Sequence, residues 1–592
     1  MKNNIFRNYK FMLRTIGRAS ASRIWLNIFF TVINDLFSIF YNVFFFAFFL
    51  DAVEKGESIL TISKVLMVFI LMNIVFEILN SYYHQAYIPQ NDVKLSLFLK
   101  NMIYQKIITV DIECFDNPEY YDNVTFVLND LFNRVCSILN NIAQFISHLC
   151  CVIVLIGYFA QIDFVIVLIS LISVLTGLFF EPVMNKYRYC YTRESLKYQR
   201  KYDYMKRISI QAECAQELRT TNVKNVLNNM LDEAFGGLKT LLKKHYRKIT
   251  MLDSIQVFCG FGIVSCVTTL ISIHRIVVDK TVTIAMFLPL MGAIAQFTWR
   301  ASSVISCFTG ILNDNIYLNK WNEFYRYEAK IVSRKEEPVD AVFRGIKINH
   351  LYFKYNENDH DTLQDICMEI RPKQKIALVG YNGAGKSTLI NLILRLYDPD
   401  QGSITYNDRN IRDYNVKSYR SKYGIVFQDI NVYAATVSQN IAMDTKGYAE
   451  EEMRKVMDSL HLKEKIDNYE GGFNTQLTHE LADAGEMLSI GQCQCLALAR
   501  IFINRSKQLY ILDEPTSALD PLAEEEIFQA INSYLADKTV IYISHRFSAS
   551  KIADKIYFME KGQIVEQGTH EELILQGGKY ADMFHLQAKY YR

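Results

Sequence analysis

Residues 380–387 read GYNGAGKS, with the apolar run KIALV before them and TLINLIL after them. This order is a strand, a glycine-rich turn and a helix, the context in which a phosphate-binding P-loop works. Gly380, Gly383 and Gly385, with Asn382 between them, leave backbone N–H groups free to wrap an anion. The start of the helix adds the positive end of its dipole. Lys386 is then placed to reach the β- and γ-phosphates of a nucleotide, Ser387 offers a hydroxyl to Mg²⁺, and Thr388 lies beside them in the first helical turn.

A second run, LYILDEPTSALD, is an apolar strand ending in two carboxylates, Asp513 and Glu514. A strand end of this kind delivers one carboxylate to Mg²⁺ and the other to an attacking water, so the pair predicts hydrolysis of ATP and not binding alone.

The elements that position these groups follow from the pattern around them. From about residue 342 the chain alternates short β-rich runs (KIALVG, YGIVFQ, LYILDE, TVIYISH) with helical ones, which predicts an α/β domain on a largely parallel sheet. The first half is different. Of 592 residues 50% are hydrophobic and the mean hydropathy is +0.04, high for a wholly soluble protein. Apolar segments lie at about 23–50, 59–86, 135–160, 164–185, 251–278 and 281–311, each near or above the ~20 residues that cross a bilayer. Six membrane helices are the expectation. The connections 87–134 and 186–250 are long, the second is rich in Lys and Arg, and the positive-inside rule makes them cytoplasmic. The leading MKNNIFRNYKFMLRTIGRASASR interleaves basic and apolar residues as an amphipathic surface helix does, so both termini are expected inside. The expected division is a transmembrane domain at 1–325, a charged linker at 326–341 and the α/β domain at 342–592.

A formal net charge of +2 and a pI near 7.8 give no global attraction to nucleic acid, which is not expected as a partner. The 12 cysteines show no paired C-x-x-C spacing of the zinc-binding kind and read as free thiols.

The order of these motifs resembles the ATP-binding cassette (ABC) transporters over essentially the whole chain, with six helices before one cassette as in a half-transporter of the exporter type. The resemblance implies Tyr355 of FKYNENDHDTL as the aromatic stacking on adenine, and Gln428 of IVFQD as a residue sensing Mg²⁺ and touching the membrane domain. It implies LSIGQ at 488–492, with Ser489, Gly491 and Gln492, as the signature that completes the γ-phosphate site of a partner cassette. SALD at 517–520, ending in Asp520, resembles the loop crossing between cassettes, and His545 of YISHR the switch histidine at the γ-phosphate. Catalysis thus falls to Glu514, His545 and Gln428, and metal binding to Ser387, Gln428 and Asp513, with ATP and Mg²⁺ as cofactors. DIECFDNPEYYDNV and AQELRT (Ala215–Thr220) resemble the coupling segments of such exporters.

The chain departs from the family pattern in three places. Ile490 stands where the signature usually has glycine, Gln374 stands where many cassettes have glycine before the P-loop strand, and THELADAGEM only loosely resembles the exporter wording. Ile490 is stiff and disfavours positive φ, which implies ordinary helix-entry geometry with its side chain turned away from the phosphate. With the other motif positions filled, a homodimer with two active sites is expected.

The cargo is read from resemblance alone. FQDINVYAATVSQNIAM and SALDPLAEEEIF look most like half-transporters associated with export of small or modified bacterial peptides, with lipid flippases and multidrug exporters as alternatives. An ATP-gated channel or regulator built on the same cassette is the alternative of another class. The basic lead is too short to hold a leader-cleaving protease, so the chain is not expected to trim its own cargo. Within the membrane segments Asp35, Glu77 and Arg300 are the ionisable residues expected at a substrate cavity, because a charge facing lipid costs several kcal/mol. Lys-, Asn-, Ile- and Tyr-rich usage hints at a bacterial membrane.

Overall fold

The computed structural model of the protein describes residues 2–116, 118–211, 214–279, 283–355, 360–445, 447–481, 485–544 and 547–590. The chain divides into two compact units, one of Met1–Thr109 with Pro118–Tyr327 and one of Val110–Asn117 with Glu328–Arg592.

The first unit is built of long helices. Ser58 and Asp163 start the helices Ile59–Tyr82 and Phe164–Ile210 by accepting the backbone N–H of Thr61 and Val165, and Thr283 caps Ile284–Arg326 in the same way. The lead does not run straight into the first span, because Ser20 leaves the helical region (φ −162°, ψ 90°) and donates its hydroxyl to Asn91 across 2.9 Å. Three π-helical turns, Phe40–Phe45, Tyr83–Tyr87 and Phe258–Ile263, interrupt the apolar helices. Such bulges often mark functional positions.

Among the described residues five helical stretches are long and apolar enough to cross a membrane: Ile5–Glu54, Ile59–Thr109, Leu131–Ile162, Phe164–Ile210 and Val223–Val277. The sixth expected segment folds as the 43-residue helix Ile284–Arg326 and is not among those five. Residues 280–282, at the start of that segment, lie outside the described residues. Ile59–Tyr82 shows why an aqueous surface does not suit this unit: Ile59, Leu60, Met67, Val68 and Ile78 are all exposed on one helix.

In the second unit ten strands form two sheets among the described residues: β1 (Ile346–Phe353), β2 (Leu363–Ile370), β3 (Lys375–Gly380), β4 (Gln401–Tyr406), β5 (Arg409–Asn410), β6 (Tyr423–Val426), β7 (Leu509–Asp513), β8 (Thr539–Ile543), β9 (Lys555–Glu560) and β10 (Gln563–Gly568). The smaller sheet, β2-β1-β4-β5, is antiparallel. The larger has the order β10-β9-β3-β8-β7-β6, with β9, β3, β8, β7 and β6 parallel and β10 antiparallel at its edge. β7 and β8 are buried at every position, as strands covered on both faces must be. In an open parallel sheet ligands bind beyond the carboxyl ends of the strands. Gly380, Val426, Asp513 and Ile543 end four neighbouring strands here, and their following loops converge.

Candidate nucleotide site

Beyond β3, Gly385 adopts φ 97° as the N-cap of helix Lys386–Ile393. A Cβ there would lie 2.7 Å from the Leu363 side chain and 3.2 Å from the Thr362 carbonyl, so glycine is needed both for its left-handed backbone and for space. The turn lets Lys386 fold back, and its Nζ donates to the carbonyls of Gly380 (2.8 Å) and Tyr381 (3.0 Å). Lys386 is 7% exposed, and burial lowers its pKa against the opposing pull of Glu514 and Asp513.

Asp513 ends β7 within reach of this group. Burial, then the negative charge of Glu514, push its carboxyl up to about 6, while Lys386 and a hydrogen bond from Ser387 act the other way. Glu514 follows with φ 48°, a left-handed backbone that costs a non-glycine residue on the order of 1–3 kcal/mol and is tolerated where structure over-determines it. Its N–H donates to Ile543 across 2.9 Å, and its carboxylate accepts from the Gln428 amide at 3.4 Å. The loops after β3, β6 and β7 thus enclose a cavity of about 270 Å³ lined by Asn382, Gly383, Gly385, Lys386, Ser387, Thr388, Gln428, Asp513 and Glu514, with Thr362 and Ile543 at its wall.

The donor set suits a magnesium nucleotide. The lining offers backbone N–H groups and an ammonium suited to phosphate, and a hydroxyl, a carboxylate and an amide oxygen that are hard ligands of the kind Mg²⁺ takes.

Tyr355 lies next to this run. Its hydroxyl shares a hydrogen bond with Thr388 at 3.1 Å, and its ring meets Phe353 and Tyr397 edge to face, with centroids 5.0 and 5.3 Å away. Tyr397 was not singled out in the sequence. It donates its hydroxyl to Asp116 at 2.6 Å, while Asp111 of the same segment accepts the backbone N–H of Lys330, also at 2.6 Å. Residues 110–117 are thereby tied into the second unit, and a line of contacts runs from Asp116 through Tyr397 and Tyr355 to Thr388. AQELRT forms the short helix Ala215–Thr220, with no buried residue.

The signature opens helix Ile490–Ile503. Ser489 caps it by accepting the Gln492 N–H, and Gln492 returns the bond to the Ser489 N–H, a complete capping box. Gln492 also accepts from Lys465 at 2.6 Å. Ile490 is the first residue of the helix and its side chain is 75% exposed. Four residues on, the buried Gln494 donates to the Ser517 hydroxyl (2.7 Å) and accepts the Ala518 N–H (3.0 Å). It ties the signature helix to the loop after Glu514. An isolated amide inside the apolar run CQCLALA was the signal that could have found it. Asp520 ends that loop by capping helix Pro521–Tyr534 through the N–H groups of Leu522 and Ala523. His545 and residues 482–484 of THELADAGEM lie outside the described residues.

In the helical unit the structure brings two of the three ionisable candidates together. Arg300, 1% exposed, pairs with Asp35 at 3.2 Å, and His148 stands 3.3 Å from the same carboxylate, which Ser147 also contacts. Glu77 is exposed and does not join them.

Known proteins resemble the chain in the same parts. The ABC transporter family profile matches residues 363–517. The subtilin transport ATP-binding protein SpaT of Bacillus subtilis is 29% identical over 482 residues, which is 80% of this chain and 77% of that protein. A putative multidrug export ATP-binding/permease protein of Staphylococcus aureus (strain NCTC 8325 / PS 47) is 39% identical over 251 residues, 42% of this chain and 43% of that protein. The structure of a bacterial Atm1-family ABC exporter with ATP bound superposes with a TM-score of 0.79 at 18% identity, covering 96% of this chain and 99% of that one, a likeness of fold. Residues 363–517 thus match the ABC transporter family, and together with the likeness to the subtilin transporter and the exporter fold this supports an exporter-type half-transporter, in which an apolar helical domain precedes an ATPase cassette.

Proposed function

We propose that two copies of this chain form an exporter that uses ATP hydrolysis to move a small or modified peptide out across a bacterial cytoplasmic membrane, with both termini and the cassettes inside. The observation that carries the cargo reading is the length of the match to the subtilin transporter. Its 482 aligned residues exceed what the chain has from Ile346 onward, so the likeness includes the membrane unit that cargo would cross.

In this reading the loop 380–388 holds the phosphates, Lys386 neutralises them, and Tyr355 stacks on the adenine. Ser387, Asp513 and Gln428 would hold Mg²⁺, which neutralises charge on the phosphate oxygens when bound. Glu514 orients and deprotonates the attacking water, and His545 contacts the γ-phosphate. Ser489 and Gly491, at a helix N-terminus, complete the site of the opposite copy. Gln492, occupied with its own helix cap, supports that turn, and Asp520 does the same for the loop between cassettes. Closure on ATP and release after hydrolysis alternate the access of the membrane helices.

The test is ATP-dependent accumulation of a modified peptide in inverted vesicles that hold only this chain. Accumulation against a gradient supports the proposal. A flux that merely equilibrates would make the protein an ATP-gated channel, and uptake of lipids or drugs in place of peptide would move it to the other cargo classes.

A further inference from the structure

β1 and β2 carry two irregularities that nothing in nucleotide chemistry requires. Ile348 pairs with Met368 and Leu351 with Ile366, so Asn349 and His350 together oppose Cys367 alone. The next pairing, Phe353 with Leu363, leaves Gln364 and Asp365 opposing Tyr352 alone. One bulge thus sits on each strand. Each contains a left-handed non-glycine residue, His350 with φ 47° and Asp365 with φ 51°. The neighbouring strand accommodates the first, since a Cβ at Gly402 of β4 would lie 2.2 Å from the His350 carbonyl.

The bulges bring three unlike donors to one exposed place. His350 Nδ1 is 2.7 Å from Asp365 Oδ1 and 3.7 Å from Cys367 Sγ, and all three ligand atoms lie within 4.8 Å of one another. We propose that His350, Asp365 and Cys367 form a surface binding site for one zinc-class divalent ion, with a fourth position open to water. Around tetrahedral zinc, imidazole nitrogen and thiolate sulfur stand about 3.5 Å apart, close to the separation seen. A thiolate beside an imidazole selects zinc over Mg²⁺, so the site does not compete with the nucleotide cavity for its ion. Binding forms the S–Zn bond as the Cys367 thiol gives its proton to solvent, and the neutral His350 ring binds through Nδ1 with its proton on Nε2. A histidine–carboxylate pair on a surface is worth little by itself and needs neither the thiol nor two strained strand residues.

The probe is Co²⁺, added to the purified full chain in detergent after chelator treatment, with the thiolate-to-cobalt charge-transfer band read in the near ultraviolet. One Co²⁺ per chain should produce the band, Zn²⁺ should displace it, and Cys367→Ser should abolish it. His350→Asn and Asp365→Asn keep a residue that tolerates the left-handed backbone and should weaken binding by more than about tenfold. ATPase activity without added metal should be unchanged in all three. Absence of the band, or a band of equal strength in Cys367→Ser or His350→Asn, overturns the site.

Discussion

The Gln428 amide donates to the Glu514 carboxylate across 3.4 Å, joining the loop after β6 to the end of β7 across 86 residues of sequence. That contact aims the carboxylate expected to activate water. Gln428→Ala should lower kcat on the order of 10- to 100-fold, while ATP affinity measured without Mg²⁺ stays near that of the unaltered chain. Paired ATPase rates and nucleotide-binding titrations check it, and an unchanged kcat would remove Gln428 from the catalytic set.

Asp513 gives the site a pH dependence with a definite sign. Burial and the charge of Glu514 hold its carboxyl up to about 6, so it takes up a proton as pH falls through that value and would then oppose the Mg²⁺ it is proposed to hold. The Mg²⁺ concentration needed for tight nucleotide binding should be flat above pH 6 and rise about tenfold per unit below it. Without metal the sign reverses: the contribution of this group to stability is present below the ordinary carboxyl range and is lost as pH rises through about 6. Asp513→Asn corrects for protonation of the nucleotide itself, and an equal acid dependence in that variant would contradict the assignment.

The pair Arg300–Asp35 is buried in the helical unit, with His148 beside it. Removing one member leaves an uncompensated charge, so Arg300→Met should destabilise the protein by about 3–5 kcal/mol, and adding Asp35→Leu should recover most of the loss. Thermal unfolding in detergent measures both. A double variant no better than the single one would mean that the two charges do not depend on each other.

Tyr397 joins the segment 110–117 to the neighbourhood of the P-loop through Asp116 and Tyr355. Tyr397→Phe keeps the ring and removes a charge-assisted hydrogen bond of about 1.5–3 kcal/mol. Basal ATPase should persist while peptide moved per ATP falls. Equal loss of both would make the hydroxyl structural and not part of coupling.

The candidate nucleotide site was legible because its parts are contiguous. GYNGAGKS and LYILDE each encode a strand, its end and the chemistry of the following residues within a dozen positions. The apolar segments likewise announce a membrane domain before an ATPase cassette, and helix Ile284–Arg326 is not among the five spans found over the described residues. What escaped depends on tertiary contact. Asp35 and Arg300 are 265 residues apart, and spacing gives no sign that they pair. Tyr397 and Gln494 look like ordinary core residues until their hydrogen bonds are traced. Cys367 matches no zinc spacing in sequence, because its companions come from a bulge on its own strand and another on the neighbour.

The central claim is that hydrolysis at Glu514 drives export, and Glu514→Gln tests it most directly. The amide cannot accept the proton of the attacking water, whereas the groups expected to hold phosphate and metal are untouched. Inverted vesicles carrying the chain alone, supplied from outside with ATP and a modified peptide, should show nucleotide bound in the variant at wild-type occupancy, ATP turnover lowered by several orders of magnitude, and no sustained peptide accumulation. Sustained accumulation in the variant at the rate of the unaltered chain would contradict the account.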